Sequence, residues 1–281
     1  MREIPVSRLT EAVKSLFLEA NYVIGADIES AVRAAKEGEP SPTTASVLEQ
    51  ILENYAIARD ERIAICQDTG MAVLFLEIGQ DVHFVGGDFT EAVNEGVRQA
   101  YREGYLRKSV VSDPLYDRKN TGDNTPAVLH ISIVSGDRVH ILATAKGFGS
   151  ENMSAIKMLV PADGEEGVLN FITDTVRKAG PNPCPPVVVG VGIGGTFEQA
   201  AEMAKKATAR SLNIANADRR YADLEDKALK RINALGIGAA GIGGKTTALK
   251  VNIDFAPTHI AGMPVAVNIC CHAARHAEMT L

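Results

Sequence analysis

The sequence predicts an α+β (mixed α/β) protein, in which a helical region over residues 1–60 is followed by mixed sheets with flanking helices. Two observations lead there. Up to residue 60 the apolar positions recur at helical spacing. Beyond it, short apolar runs of strand length are interleaved with helix-length stretches. That order argues against a pure doubly wound sheet. The 281 residues read as one domain, with two lobes hinging near residues 161–167 as the open alternative.

Leu9, Val13, Leu16, Phe17 and Ala20 place a helix over residues 7–20, with Ser7 or Thr10 as its cap. A second helix is expected over 27–37, and a third over 44–59 after the turn Glu39-Pro40-Ser41-Pro42. Next, Ile65-Cys66-Gln67-Asp68-Thr69-Gly70 packs a thiol, an amide, a carboxylate and a hydroxyl between apolar runs. Ala64 and Ile65 before it and residues 71–76 after it read as strand, broken at Gly70. Residues 73–78 and 82–85 follow as strands and 90–101 as a helix. The exposed-looking polar loop Asn120-Thr121-Gly122-Asp123-Asn124-Thr125-Pro126 leads into a strand over 128–134, which turns at Ser135-Gly136-Asp137 and returns along 139–145; this predicts a hairpin. After residue 152 come a short apolar helix to Val160 and a linker at Pro161-Ala162-Asp163-Gly164. A strand over 186–191, a helix over 197–210, a charged helix over 218–234 and a last strand over 264–269 complete the chain.

Hydrophobic residues make up 46% of the sequence, enough for a full core, and with no Trp that core must be mainly Val, Ile, Leu and Ala. A net charge of -6 without any basic block argues against a nucleic-acid surface. No apolar run reaches the roughly 18 to 20 residues of a membrane span. Met1-Arg2-Glu3-Ile4-Pro5 carries no apolar signal segment, so the cytoplasm is the expected compartment. There, Cys66, Cys184, Cys270 and Cys271 are expected as reduced thiols or metal ligands rather than disulfides.

Gly190-Val191-Gly192-Ile193-Gly194-Gly195 has the form of a dinucleotide-binding turn, lying after a strand and before a helix. Residues 211–216 are too short and polar to be the following strand, so the supporting βαβ unit is missing. The stretch from Ala239 to Thr246 ends in Gly-Lys-Thr like a phosphate loop, but Ala239 stands at the first glycine position and β-branched residues follow where a helix belongs. Both loops offer backbone N–H groups to a carboxylate or phosphate. Close backbone packing would explain the same glycines. A thiol beside a carboxylate at the end of a rigid element suits a catalytic metal site, while a core cysteine and a turn aspartate would also account for Cys66 and Asp68. Cys66, Cys184 and Cys271 lie too far apart for a zinc-finger or ferredoxin pattern, so a shared cluster would have to be assembled by the fold.

The segments Cys66-Gln67-Asp68-Thr69-Gly70, Lys146-Gly147-Phe148-Gly149-Ser150-Glu151-Asn152, Cys184-Pro185-Pro186 with Gly192-Ile193-Gly194-Gly195, and Val267-Asn268-Ile269-Cys270-Cys271-His272-Ala273-Ala274-Arg275 resemble the class I, iron-sulfur-dependent fumarate hydratase family. The resemblance is to the alpha subunit of the two-subunit form, a group that also contains L-tartrate dehydratase. It implies a single iron-sulfur hydro-lyase alpha domain over residues 1–281 and the reversible hydration of fumarate to L-malate. It also implies a [4Fe-4S] cluster on three cysteines, with the remaining iron open to substrate. By motif the ligands carry over to Cys66, Cys184 and Cys271, and Cys270 stands where relatives usually have another residue. Gln67 and Asp68 become the catalytic pair beside the open iron, and Gly149 a backbone contact to substrate. Arg107 and His259 match positions that bind substrate carboxylates, and Lys146 is a further cation for them. Read without the resemblance, Arg107 is a surface cation and His259 a loop histidine.

Hydrating fumarate requires a Lewis acid, cations for the carboxylates and a base for the carbon-bound proton. The open ferrous corner would supply the first and the planar fork of Arg107 the second. No convincing base stands in this sequence. Single-chain relatives carry it in a C-terminal domain, so a separate beta subunit carrying the base is expected, in an α2β2-like assembly. A nucleotide-binding protein using the glycine loops and a non-catalytic partner subunit are the competing readings.

Overall fold

β1 (Arg2–Pro5) leads into α1 (Val6–Tyr22), α2 (Ala26–Glu37) and α3 (Pro42–Glu61), which confirms the helical start. α1 buries Leu9, Val13, Leu16, Phe17 and Ala20, the positions its spacing singles out. The computed structural model describes all residues, Met1–Leu281, in two compact units. The first comprises Met1–Ile24, Tyr55–Phe148 and Arg275–Leu281, and the second Gly25–Asn54 and Gly149–Ala274. Residues 161–167 lie inside the second unit. No helix is long and apolar enough to cross a membrane.

In the first unit, β2 (Met71–Gly79), β3 (Val82–Val85), α4 (Phe89–Glu103), β4 (Val128–Val134) and β5 (Val139–Lys146) follow the sequence order. α4 starts where Asp88 accepts a hydrogen bond from Glu91 N at 2.8 Å. β3 pairs with β1 in parallel. The main sheet has the order β10-β5-β2-β4, its last member being β10 (His276–Thr280). Leu74, Leu76, Ile141 and Ala143 pack beneath Val13, Phe17, Val97 and Tyr101 to form one core.

The expected hairpin of residues 128–145 does not form. β2 lies between its two strands, parallel to β4 and antiparallel to β5. The cause is burial. Residues 72–76 of β2 are buried on both faces, which demands a partner on each side, whereas the second half of β4 is exposed and suits an edge.

The second unit continues with α5 (Phe148–Glu151), β6 (Ala155–Leu159), α6 (Gly164–Ala179), β7 (Val187–Gly194), α7 (Phe197–Ala207), α8 (Arg219–Asn233), β8 (Ala248–Ala256) and β9 (Met263–Cys270). Its sheet runs β6-β9-β7-β8. Val189, Val191, Val251, Ile253 and Val267 pack against Ile172, Val176, Leu224, Ala228 and Ile232. The apolar helix expected before Val160 is instead strand β6, paired antiparallel with β9. A long-range partner decides that segment, which is too short for its own pattern to fix. Pro161–Asp163 is a single 3-10 turn leading into α6 rather than a linker.

Candidate active site

Residues 62–65 form no strand, so the Cys66 loop leaves α3 and opens β2 instead of interrupting a strand. Gly70 allows the turn. Its φ is +79°, and a Cβ there would stand 2.6 Å from the carbonyl carbon of Ala145. Asp68 is fixed through both carboxylate oxygens: Oδ1 accepts from Gly70 N at 3.0 Å and Oδ2 from Phe148 N at 2.8 Å. Buried Thr69 donates its hydroxyl to the Arg107 carbonyl at 3.0 Å, which brings the Arg107 backbone to the loop.

Beneath the loop, the Tyr101 hydroxyl lies 2.8 Å from the Thr69 carbonyl and 2.9 Å from that of Gly70. Burial pushes the Tyr101 phenol far above its ordinary value, against a smaller opposing pull from the Arg275 charge, so the group stays a proton donor. Asn124 donates to the Gly70 carbonyl at 3.2 Å and accepts from Ser109 N at 2.7 Å. Asn124 is fully buried, so the polar loop of residues 120–126 is not wholly a surface feature. Around this scaffold Cys66, Gln67 and Arg107 are exposed and Asp68 is half-buried. Lys146 closes β5 opposite Met71, buried, with Nζ donating to the Gly147 carbonyl at 3.3 Å.

In the second unit, Cys184 ends a turn in which its N–H donates to the Pro181 carbonyl at 3.0 Å. Its φ of +52° is left-handed, a conformation that costs a non-glycine residue about 1–2 kcal/mol. The Cys184 carbonyl accepts from His272 N at 3.5 Å, which places the Cys184 and Cys271 segments side by side. Cys184 is exposed and Cys271 partly so; Cys270 is buried at the end of β9. None of the four cysteines is in a disulfide. Gly149, on α5, faces the Asn182 carbonyl of the same turn, 3.8 Å from where a Cβ would stand. His259 is exposed, with Nδ1 accepting from Ala261 N at 3.2 Å, and its neighbour Thr258 donates to the Gly195 carbonyl at 2.9 Å. Neither unit presents a ready group of three His, Cys, Asp or Glu side chains for a metal ion.

The structure therefore brings Cys66, Gln67, Asp68, Arg107 and Lys146 to one scaffold, and Gly149, Cys184 and Cys271 to another, with His259 on a separate loop. Sequence reasoning missed Tyr101, Asn124 and Arg275, which support the Cys66 loop from within, Arg275 by donating from Nη1 to the Asp68 carbonyl. Arg275 stood inside a noted motif, but nothing in its position announced burial.

The glycine loops resolve differently. A Cβ on Gly190 would stand 2.0 Å from the Ala204 carbonyl oxygen, and one on Gly192 2.1 Å from that of Ala200. These two glycines let α7 lie directly on β7. In the Gly-Lys-Thr stretch, Lys245 N donates to Glu39 Oε2 at 2.8 Å, so the chain supplies its own carboxylate. Strand β8 follows where a phosphate loop would need a helix.

The sequence profile of the family described as fumarate hydratase (Fumerase) matches residues 10–280. Over 274 residues the chain is 42% identical to a Methanocaldococcus jannaschii protein provisionally named as L(+)-tartrate dehydratase subunit alpha, covering 96% of each. It is 30% identical over 283 residues to the L(+)-tartrate dehydratase subunit alpha of Escherichia coli, covering 98% of this chain and 93% of that one. The Shigella sonnei protein of the same name matches equally. The chain belongs to the fumarate hydratase family, a family of hydro-lyases.

Proposed function

We propose that this chain is the alpha subunit of an iron-sulfur hydro-lyase that hydrates fumarate reversibly to L-malate, with Cys66, Cys184 and Cys271 as ligands of a [4Fe-4S] cluster. The observation that carries the reading is the state of the thiols. Cys66 and Cys184 are exposed on constrained turns, and the Cys271 segment is bonded to that of Cys184. Such a donor set fits a soft iron-sulfur centre. Cys270, packed into β9, is the less suitable neighbour.

When bound, the cluster supplies Lewis acidity toward a substrate oxygen. The chain's own residues do the rest. Asp68 keeps lone pairs beyond its two backbone donors and accepts from the substrate hydroxyl, while the Gln67 amide orients it. Arg107 grips one substrate carboxylate bidentately, with Lys146 as a point charge and Gly149 N and His259 as further donors. The base for the carbon-bound proton is assigned to a separate beta subunit, in an α2β2 assembly. The relatives' designation as alpha subunits supports that partner.

A second reading, L(+)-tartrate dehydration, is favoured by the names of those relatives. Both substrates are four-carbon dicarboxylates that differ in hydroxyls a few side chains could read. The test is anaerobic purification with the beta partner, iron analysis, an absorption spectrum and assays with fumarate, L-malate and L(+)-tartrate. A brown protein that loses its iron in Cys66→Ser, Cys184→Ser and Cys271→Ser, but keeps it in Cys270→Ser, is expected. A colourless anaerobic protein with NAD or ATP affinity would overturn the reading.

A further inference from the structure

Arg275 has no part in the proposed chemistry, yet it is buried, at 3% exposure. Its Nη1 donates to the main-chain carbonyl of Asp68 and, at 3.3 Å, to Asn21 Oδ1. Neither acceptor is a carboxylate, and Nε is buried without any partner. A guanidinium buried on these terms is a net cost to folding, which points to a local task.

The surrounding bonds define that task. Asn21 is fully buried and anchored to α1 by Nδ2, which donates to the Phe17 carbonyl at 2.9 Å. Its own carbonyl accepts from Ile65 N at 2.9 Å. Arg275 and Asn21 thus hold the chain at Ile65 and Asp68, the residues on either side of Cys66 and Gln67. Arg275 is itself fixed, because its carbonyl accepts from Ala145 N at 3.1 Å. A Cβ on Gly147 would stand 3.2 Å from both Arg275 Nη2 and Asp68 Oδ2. With only hydrogen there, guanidinium and carboxylate approach Gly147 together.

We propose that Arg275 is a positioning residue: a clamp that sets the Cys66-Gln67-Asp68 turn, and through it the Asp68 carboxylate, without touching substrate. The catalytic half of this inference rests on the role given to Asp68 above; the clamp itself does not.

The test uses the full chain with its beta partner and the variants Arg275→Gln, Arg275→Lys and Gly147→Ala. One readout is iodoacetamide alkylation of Cys66 in the iron-free protein, followed by peptide mass spectrometry with Cys184 as internal reference. The other is the split between kcat and KM. Arg275→Gln is expected to raise the Cys66 rate relative to Cys184 by about threefold or more as the turn loosens. It is expected to lower kcat about tenfold or more with KM changed by less than about threefold. Arg275→Lys, which keeps a cationic donor, recovers part of both effects, and Gly147→Ala shifts both in the same direction as Arg275→Gln. An unchanged Cys66 rate overturns the clamp whatever the activity. A faster Cys66 rate with unaltered kcat overturns the positioning of Asp68. Where the wild-type complex hydrates no four-carbon dicarboxylate, the functional reading fails and alkylation alone decides the clamp. Where Arg275→Gln does not fold, Arg275→Lys and Gly147→Ala decide it.

Discussion

Tyr101 supports the loop from below with a single hydroxyl set between two carbonyls. Tyr101→Phe leaves the buried Thr69 carbonyl without this donor, whereas Gly70 retains Asn124. An unsatisfied buried carbonyl costs about 1–3 kcal/mol, which urea unfolding at neutral pH should detect as a lower midpoint. The pH dependence has a definite sign. Burial raises the phenol's folded value above the unfolded one of about 10. The protonated form therefore contributes stability that is complete below about pH 10 and is lost as pH rises from there toward the folded value. Unfolding midpoints followed from neutral to alkaline pH should fall more steeply in the wild type than in Tyr101→Phe. Parallel curves would remove Tyr101 from this role.

At the scale of elements, the seat of α7 on β7 depends on two missing side chains. Gly192→Ala puts a methyl 2.1 Å from the Ala200 carbonyl oxygen, so helix or strand must shift. Overpacking of this kind costs about 1–3 kcal/mol, and a lower melting temperature is expected, with no NAD affinity to lose in the wild type. An NAD affinity abolished by this substitution would restore the dinucleotide reading. The same contrast shows what could be read from sequence. α1, α4, α7 and α8 were legible because each shows an apolar face at helical spacing over several turns. The hairpin of residues 128–145 was not, because the insertion of β2 depends on pairing residues more than 50 positions apart, from Val73↔Val128 to Gly79↔Val134. β6 and β10 were missed for the same reason: each has five residues and is defined by its partner.

Over the whole molecule, the residues proposed to carry chemistry left more trace in the sequence than those that hold them. Cys66, Asp68 and Cys184 stand out by type and by their neighbours, yet on those grounds alone a core cysteine, a turn aspartate and an ordinary tight turn explain them as well, and their candidacy came from the family resemblance. Arg275 lies within the Cys271 motif, but its neighbours in sequence do not signal burial; the return of the chain through Arg275–Leu281 to the first unit buries it. The proposed division of labour with a beta subunit can be tested at this scale. If the base lies on the partner while the cluster ligands and the carboxylate-binding cations lie here, the two halves of the chemistry should separate. The isolated chain, reconstituted anaerobically, should then bind about four irons yet turn over substrate at least about a hundredfold more slowly than the complex, the size expected when a general base is absent. Adding the beta subunit should restore activity in proportion until the two chains are equimolar. Full activity of the isolated chain would place the base within these 281 residues and end the case for a catalytic partner.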